Sequence, residues 1–343
     1  MQPRSKSCRN RGTTTLRLLV PRVAPPAAAN PRGALRALGG PTMGTTWSVK
    51  LVAEQACDIG ALRRGVEACL ARVVAEMSTW QPDSAISRFN RAPAGSWHAL
   101  PEAFFAVLDH ALALARATEG AYDPTLGALV DLWGFGPKGR RDTPPPGEAI
   151  EAARRSGGWS RVVLDKAARR ARQPGGLALD LSSIAKGYAV DLLAEYLLAA
   201  GVDSFLVEIG GELRGQGLKP DGSPWLVALE NPGAAMPVTV AALHRRSVAT
   251  SGDYRRFFAR NGRRYAHTID PRTGCPLANG VASVTVLHRR CMEADALATA
   301  LSVLGAERGV DFARRNHVAA RLVIRGARGL EERTSPEFDA MLD

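Results

Sequence analysis

Hydrophobic and polar positions along the chain change period several times, and each change marks an element. Residues Thr45 to Leu51 (TTWSVKL) alternate in polarity and are β-rich, which predicts a strand. From Ile59 to Met77, Leu62, Val66, Cys69, Leu70, Val73 and Val74 recur at helical spacing. A polar segment from Ser78 to Pro101 follows. A second helical pattern then covers 102–119 through Phe105, Leu108, Leu112 and Ala115, and Gly120 stops it. Gly136 to Gly147 holds three consecutive prolines and reads as a surface loop rather than a domain boundary, because patterned sequence of the same kind resumes beyond it. The pattern next predicts a short helix at 148–155, strands at 161–165 and 177–181, and a long helix over about 184–200 that ends at Gly201. Strands follow at 204–209, 225–230, 238–242 and 281–287. A helix at about 293–304 ends at Gly305, and a short helix near 306–315 and a strand near 319–325 close the chain. Hairpin-like strand groups mixed with helices predict an α+β fold, with mixed or antiparallel sheets packed against helices, and not a doubly wound sheet.

The 343 residues suffice for a substantial core. No apolar run approaches the roughly 20 residues of a membrane helix. The net charge of +12 suggests an anionic partner until its distribution is read. Residues 1–40 hold eight Lys or Arg and no Asp or Glu, which leaves about +4 on the rest. The expected organisation is a basic, Ala/Pro-rich disordered tail over 1–40 and one catalytic body over 41–343. A mildly basic body suits an anionic small substrate, and no interleaving of basic and aromatic residues marks a nucleic-acid groove. The five cysteines are odd in number and form no Cys-x-x-Cys, so neither a disulfide framework nor a zinc site is expected.

Three segments could carry chemistry. In Leu179-Asp180-Leu181-Ser182-Ser183-Ile184-Ala185-Lys186-Gly187-Tyr188 a strand turns into a helix, and Asp180 and Lys186 fall outside the apolar stripe at the helix entrance. Free N–H groups there and the Lys186 charge suit a phosphate; a Ser-capped helix with a solvated lysine is the structural alternative. On Glu293-Ala294-Asp295-Ala296-Leu297-Ala298-Thr299-Ala300-Leu301, Asp295, Thr299 and Ser302 share a polar stripe beside the buried one, with alanines leaving room around it. A carboxylate and a hydroxyl are hard oxygen ligands of the kind Mg²⁺ uses, although an aspartate in a first helical turn also complements the helix dipole. In His267-Thr268-Ile269-Asp270-Pro271-Arg272-Thr273-Gly274 the histidine precedes a tight turn, where it is either a proton acceptor or a ligand of the turn backbone. Trp80 and Tyr122 are candidate stacking faces for a flat ring, and Ile209-Gly210-Gly211-Glu212 is a turn with a polar end.

Together these stretches resemble the FAD:protein FMN transferase family, the ApbE-type flavin transferases. The resemblance rests on nine motifs in family order: TMGTTW (42–47), MSTWxxDSxISRFN (77–90), GAYDPT (120–125), LWGFG (132–136), LDLSSIAKGYAVD (179–191), IGGE (209–212), TSGDY (250–254), HTIDPRTGxP (267–276) and EADALATA (293–300). It implies a T-fold-like α+β body. It also implies FAD bound through Met43, Trp80, Ala121, Tyr122, Asp123, Asp180, Lys186 and the backbone near Ile269, and Mg²⁺ held by Asp295, Thr299 and a backbone oxygen at Ser183. The implied reaction is magnesium-dependent transfer of FMN from FAD to a Ser or Thr hydroxyl of an acceptor protein, with AMP released. Lys186 and the metal would stabilise phosphoryl charge, and His267 would accept the hydroxyl proton. Acceptors would be redox-complex subunits or flavin reductases carrying a Ser/Thr flavinylation motif. The competing readings are FAD hydrolysis to FMN and AMP, and a non-catalytic FAD carrier. The resemblance suggests the periplasmic side of the inner membrane. The N-terminal segment shows neither an apolar signal core nor a lipobox before Cys8, so a cytoplasmic location stands as the alternative.

Overall fold

The computed structural model describes residues 16–24, 28–233 and 236–343. The chain opens with strand β1 (Leu16–Leu19) and a hairpin of β2 (Ala34–Thr42) and β3 (Thr45–Ala53). Helices α1 (Ile59–Met77) and α2 (Ala85–Asn90), strand β4 (Trp97–Ala99), helices α3 (Glu102–Ala117), α4 (Gly127–Leu132) and α5 (Gly147–Ser156), and strands β5 (Val163–Asp165) and β6 (Arg170–Arg172) follow. Helix α6 (Ala185–Ala199) leads into β7 (Phe205–Ile209), β8 (Glu212–Gln216), β9 (Trp225–Ala228), β10 (Val238–Leu243) and β11 (Arg246–Gly252). Strands β12 (Phe257–Arg260) and β13 (Arg263–Ala266) form a projecting hairpin, and β14 (Ile269–Asp270) and β15 (Cys275–Pro276) a minimal one. The last elements are β16 (Val281–His288), α7 (Cys291–Leu304), α8 (Ala306–Arg315), β17 (Ala319–Gly326), β18 (Gly329–Thr334) and α9 (Pro336–Asp339).

Eight strands form one sheet in the order β18-β17-β16-β11-β8-β7-β3-β2, and every neighbouring pair in it is antiparallel. Helices α6 and α7 lie against one face, with α1 packed on α6. The apolar positions of α1 predicted from spacing (Leu62, Val66, Leu70, Val73) are buried there with Val49, Leu51, Val207 and Val284. A smaller sheet, β1-β10-β9, covers part of the other face through Leu19, Ala241 and Leu243. The fold is therefore α+β, as the sequence pattern predicts.

Three local differences from the sequence reading have physical reasons. The segment 1–40 is not a disordered tail throughout, because Leu16–Leu19 and Ala34–Thr42 are strands. Leu19 is fully buried, and β2 is an edge strand whose exposed, small residues give little alternation. Residues 1–15 lie outside the described residues. The expected strand at 177–181 has a single bridge, Ala178 to Leu126. Its next residue is held by a side chain instead: Asn90 donates to the Leu179 carbonyl (2.9 Å) and accepts from its N–H (2.8 Å), doing the work of a neighbouring strand. Finally, α7 has no exposed polar flank. Asp295 and Ser302 are buried along with the apolar stripe, because α7 sits between α6 and the sheet.

Candidate active site

The site forms where α6 and α7 touch. A Cβ on Gly187 would lie 2.4 Å from the Cys291 carbonyl oxygen and 2.8 Å from Asp295 Cβ, so only glycine lets the helices approach this closely. In a regular α6 the Gly187 N–H would bond to the Ser183 carbonyl, four residues back. It donates instead to Asp295 Oδ2 at 3.0 Å. That leaves the Ser183 carbonyl without its ladder partner, beside a buried carboxylate. It also means that this N–H of the α6 entrance, expected to be free for a phosphate, is already engaged. The N-cap, Ile184, makes no side-chain cap, so the Ser-capped helix is not formed either.

Helix α7 is aimed by a residue on α6. Asp191 is buried and accepts from the Cys291 N–H (2.9 Å) and the Met292 N–H (3.0 Å), capping the first turn of α7. Arg214 on β8 pairs with the same carboxylate at 2.6 Å. Asp295 lies one turn further along, and Thr299 another turn on the same face, half-buried. The Ser302 hydroxyl, buried on the same helix, donates to the Ala298 carbonyl (2.8 Å).

Lys186, in the first turn of α6, reaches Glu212 Oε1 at 2.5 Å. Burial works against its ammonium, but Glu212 and Asp295 outweigh it and raise its pKa. Burial pushes Glu212 up to about 7, opposed by Lys186 and reinforced by Asp295, and Glu212 Oε2 has no hydrogen-bond partner among the described residues. Burial likewise raises Asp295 against the pull of Lys186 and the Gly187 N–H. Two buried carboxylates thus share one ammonium, and the cluster is short of positive charge. Asp295, Thr299 and the Ser183 carbonyl are oxygen donors that fit Mg²⁺. Among the described residues no group of three or more His, Cys, Asp or Glu assembles a metal cage, so a magnesium ion would complete its shell with waters and phosphate oxygens.

His267 follows β13 directly, within reach of the Lys186 charge. Its N–H and Nδ1 both face the Arg256 carbonyl, at 3.0 and 3.2 Å. A carbonyl only accepts, so Nδ1 carries the proton and Nε2 keeps its lone pair. Burial, then the charge of Arg256, and further down the charge of Lys186, lower the His267 pKa to about 4. The imidazole is neutral at pH 7, and its backbone partner is Arg256 before β12, not the Asp270–Gly274 turn that the sequence offered.

Other expected residues are placed less uniformly. Tyr122 is 2 % exposed, so its ring is not the stacking face the sequence suggested; its hydroxyl accepts from Ser183 Oγ at 3.0 Å. Burial raises its pKa further above the ordinary tyrosine value. Ala121 is buried beside it. Asp123 is tied into its own turn by the Thr125 N–H (2.8 Å) and hydroxyl (2.6 Å). Asp180 similarly accepts from the Ser182 N–H (2.8 Å) and remains half-buried. Trp80 is 58 % exposed and presents a free indole face. Met43, at φ 48°, occupies with Gly44 the tight turn between β2 and β3. The Ile269 side chain is buried with Leu129 and Trp133, leaving only its backbone to meet a ligand. The residues that sequence reasoning missed are Glu212, flagged only as a turn end, and Asp191, inside a quoted motif but given no role. A carboxylate in a run of apolar helix residues was the available signal for Asp191.

The ApbE family model matches residues 43–322 of this chain. FAD:protein FMN transferase of Vibrio cholerae is 40% identical over 308 residues, covering 89% of this chain and 92% of the relative. That of Haemophilus influenzae is 39% identical over 315 residues, with 89% and 91% covered. Among solved structures, the apo form of Pseudomonas stutzeri flavinyl transferase ApbE superposes with a TM-score of 0.84 at 42% identity, covering 90% of this chain and 97% of that one. The Thermotoga maritima apbe protein gives 0.80 at 31% identity, with 90% and 99% covered.

Proposed function

The chain belongs to the ApbE family, and we propose that it is an FAD:protein FMN transferase that moves FMN to a Ser or Thr hydroxyl of an acceptor protein. What supports the reading is the buried Lys186–Glu212–Asp295 cluster, in which one ammonium serves two carboxylates, together with a neutral His267 that feels the Lys186 charge. The acceptor hydroxyl oxygen attacks the phosphorus on the FMN side of FAD. The new P–O bond forms as the bond to the bridging oxygen breaks, and AMP leaves. His267 Nε2 takes the hydroxyl proton. Lys186 neutralises charge on the diphosphate. Asp295, Thr299 and the Ser183 carbonyl would hold Mg²⁺, which when bound polarises phosphoryl oxygens. Trp80, Met43, Asp180 and the backbone around Ala121–Asp123 and Ile269 are the proposed FAD contacts, and the periplasmic face of the inner membrane is the proposed location.

The test is incubation with FAD, Mg²⁺ and a panel of candidate acceptor proteins, read by intact mass. The expected result is an acceptor mass gain equal to FMN less water, with AMP in stoichiometric yield. FMN and AMP appearing free, with no acceptor labelled, would instead identify an FAD hydrolase. FAD remaining intact would identify a carrier.

A further inference from the structure

The β12–β13 hairpin projects beside His267 and carries arginines at positions 255, 256, 260, 263 and 264, with no acidic residue between Phe257 and Ala266. Its root is part of the site, because the Arg256 carbonyl holds His267. Its tip, Arg260-Asn261-Gly262-Arg263, is exposed. Root and tip differ in how their charges are used. Arg255 pairs with Glu230, and Arg256 donates to the Phe135 carbonyl at 3.2 Å. Arg264 lies over the Phe257 ring at 4.4 Å and within 3.9 Å of Asp253, itself bidentate to Arg325. Among the described residues neither Arg260 nor Arg263 has an acidic partner, and Arg263 rests on the face of Tyr265 at 5.1 Å. The positive rim continues beyond the hairpin. Phe258 and Tyr265 stack on Trp133 (6.3 and 5.8 Å), and the loop that leaves Trp133 bears Lys138, Arg140 and Arg141 around a cavity of about 400 Å³.

Resting on the transferase reading above, we infer that this hairpin and its basic rim are the docking surface for an acidic segment of the acceptor protein. Paired four-residue strands at about 3.4 Å per residue place the tip roughly 14 Å from His267. A polypeptide gripped at the tip therefore needs only about four extended residues to bring a hydroxyl to Nε2. Arginines that project from a rigid hairpin, with little internal pairing, are suited to carboxylates through forked hydrogen bonds. A single-stranded nucleic acid is the other polyanion such charges would attract, but it binds through open aromatic faces. Here Phe258 and Tyr265 face each other at 4.9 Å, and Arg264 covers Phe257.

The test uses the full chain and three fluorescein-labelled probes: decaglutamate, decalysine and a ten-nucleotide oligothymidylate, with anisotropy at low ionic strength. Decaglutamate is expected to bind and decalysine not to. Arg260→Glu with Arg263→Glu should weaken decaglutamate about tenfold or more, while FAD affinity measured at about 0.15 M salt stays within about twofold, because the tip lies roughly 14 Å from His267 and the Debye length at that salt is about 8 Å. A control with Arg314→Glu and Arg315→Glu on α8 should bind decaglutamate like the parent. Absence of decaglutamate binding, equal loss in the control, tighter binding of the oligothymidylate, or a parallel fall in FAD affinity would each overturn the inference. For an acceptor that gains FMN in the mass assay, the hairpin variant should raise the acceptor KM and leave the FAD KM unchanged; the reverse split also overturns it. These binding readouts need no FMN transfer, so a failure of the transferase reading is seen separately.

Discussion

At the residue scale, His267 and Glu212 are displaced from their ordinary pKa values in opposite directions, and the displacements suit different roles. A histidine accepts a proton only in its neutral form. With its pKa lowered to about 4, mainly by burial, that form dominates over the whole neutral range. The rate of transfer should therefore show no inflection near pH 6.5 from this group. His267→Ala should reduce the rate about 100-fold or more, while FAD binding by fluorescence titration stays close to the parent. Full activity in the variant would remove His267 from the mechanism. Glu212, raised to about 7, is ionised above that value and neutral below it. As pH falls through 7 the Lys186 ion pair weakens and the pocket loses negative charge, so magnesium should be held less well in acid. Asp295→Asn removes the anionic oxygen donor and leaves only a neutral amide oxygen. The thermal shift that Mg²⁺ gives the parent should disappear in this variant without a large loss of stability in the metal-free protein, because burial already disfavours the Asp295 charge.

At the element scale, the site depends on how tightly α6 and α7 approach. Gly187→Ala would place a methyl group against backbone, the Cys291 carbonyl, which cannot turn aside as a side chain can. The helices must then separate, and the Gly187 N–H bond to Asp295 lengthens. The expected outcome is a higher magnesium requirement together with a lower melting temperature. Asp191→Ala removes the cap of α7 and leaves Arg214 half-buried without its partner. A cost of about 3–5 kcal/mol in denaturant unfolding is expected, and a value under about 1 kcal/mol would show that α7 is positioned by packing alone. This seam also shows what the sequence revealed and what it hid. The bounds of α1 and α8 were legible because apolar positions recur at 3.6-residue spacing and Gly or polar residues stop them. The strands β8, β11, β12 and β13 were not, since short strands covered on both faces, or set in arginine-rich hairpins, do not alternate; β18 alternates between exposed and half-buried positions, but GLEERT holds a single apolar residue to show it. Lys186, Asp295 and Ser183 were legible as a set through the family motifs and are found together. Tyr122 as a stacking ring was not, because burial of an aromatic cannot be read from one position. The Lys186–Glu212 pair joins residues 26 apart, and no local pattern announces such a contact.

At the scale of the whole molecule, the first described strand and the C-terminus are tied together away from the site. β1 runs parallel to β10, and its Val20 N–H and Leu18 carbonyl bond to Met341 and Asp343. Arg17 on β1 makes a bidentate pair with Glu332 on β18 at 2.6 and 2.7 Å. The other partner of Glu332 is Arg321, which is fully buried on β17 and also donates to Asn231 Oδ1 at 2.7 Å. One carboxylate thus serves two guanidiniums, and the loss of either end is unequal. Arg17→Ala leaves Glu332 with Arg321, so about 1 kcal/mol is expected. Glu332→Gln leaves the buried Arg321 without a counter-charge, and about 3–5 kcal/mol is expected. The pH dependence has a fixed sign. Burial alone would raise Glu332, but the two arginines hold it below the ordinary value of about 4.3. Its stabilisation is therefore complete above that value and is lost as pH falls through the lower folded-state pKa. Between pH 5 and 2 the parent should lose more stability than Glu332→Gln, measured by urea unfolding at each pH, while FMN transfer at pH 7 is equal for any variant that remains folded. Parallel acid curves for the two proteins would show that the termini are held by strand pairing and the buried Leu19, not by this charge network.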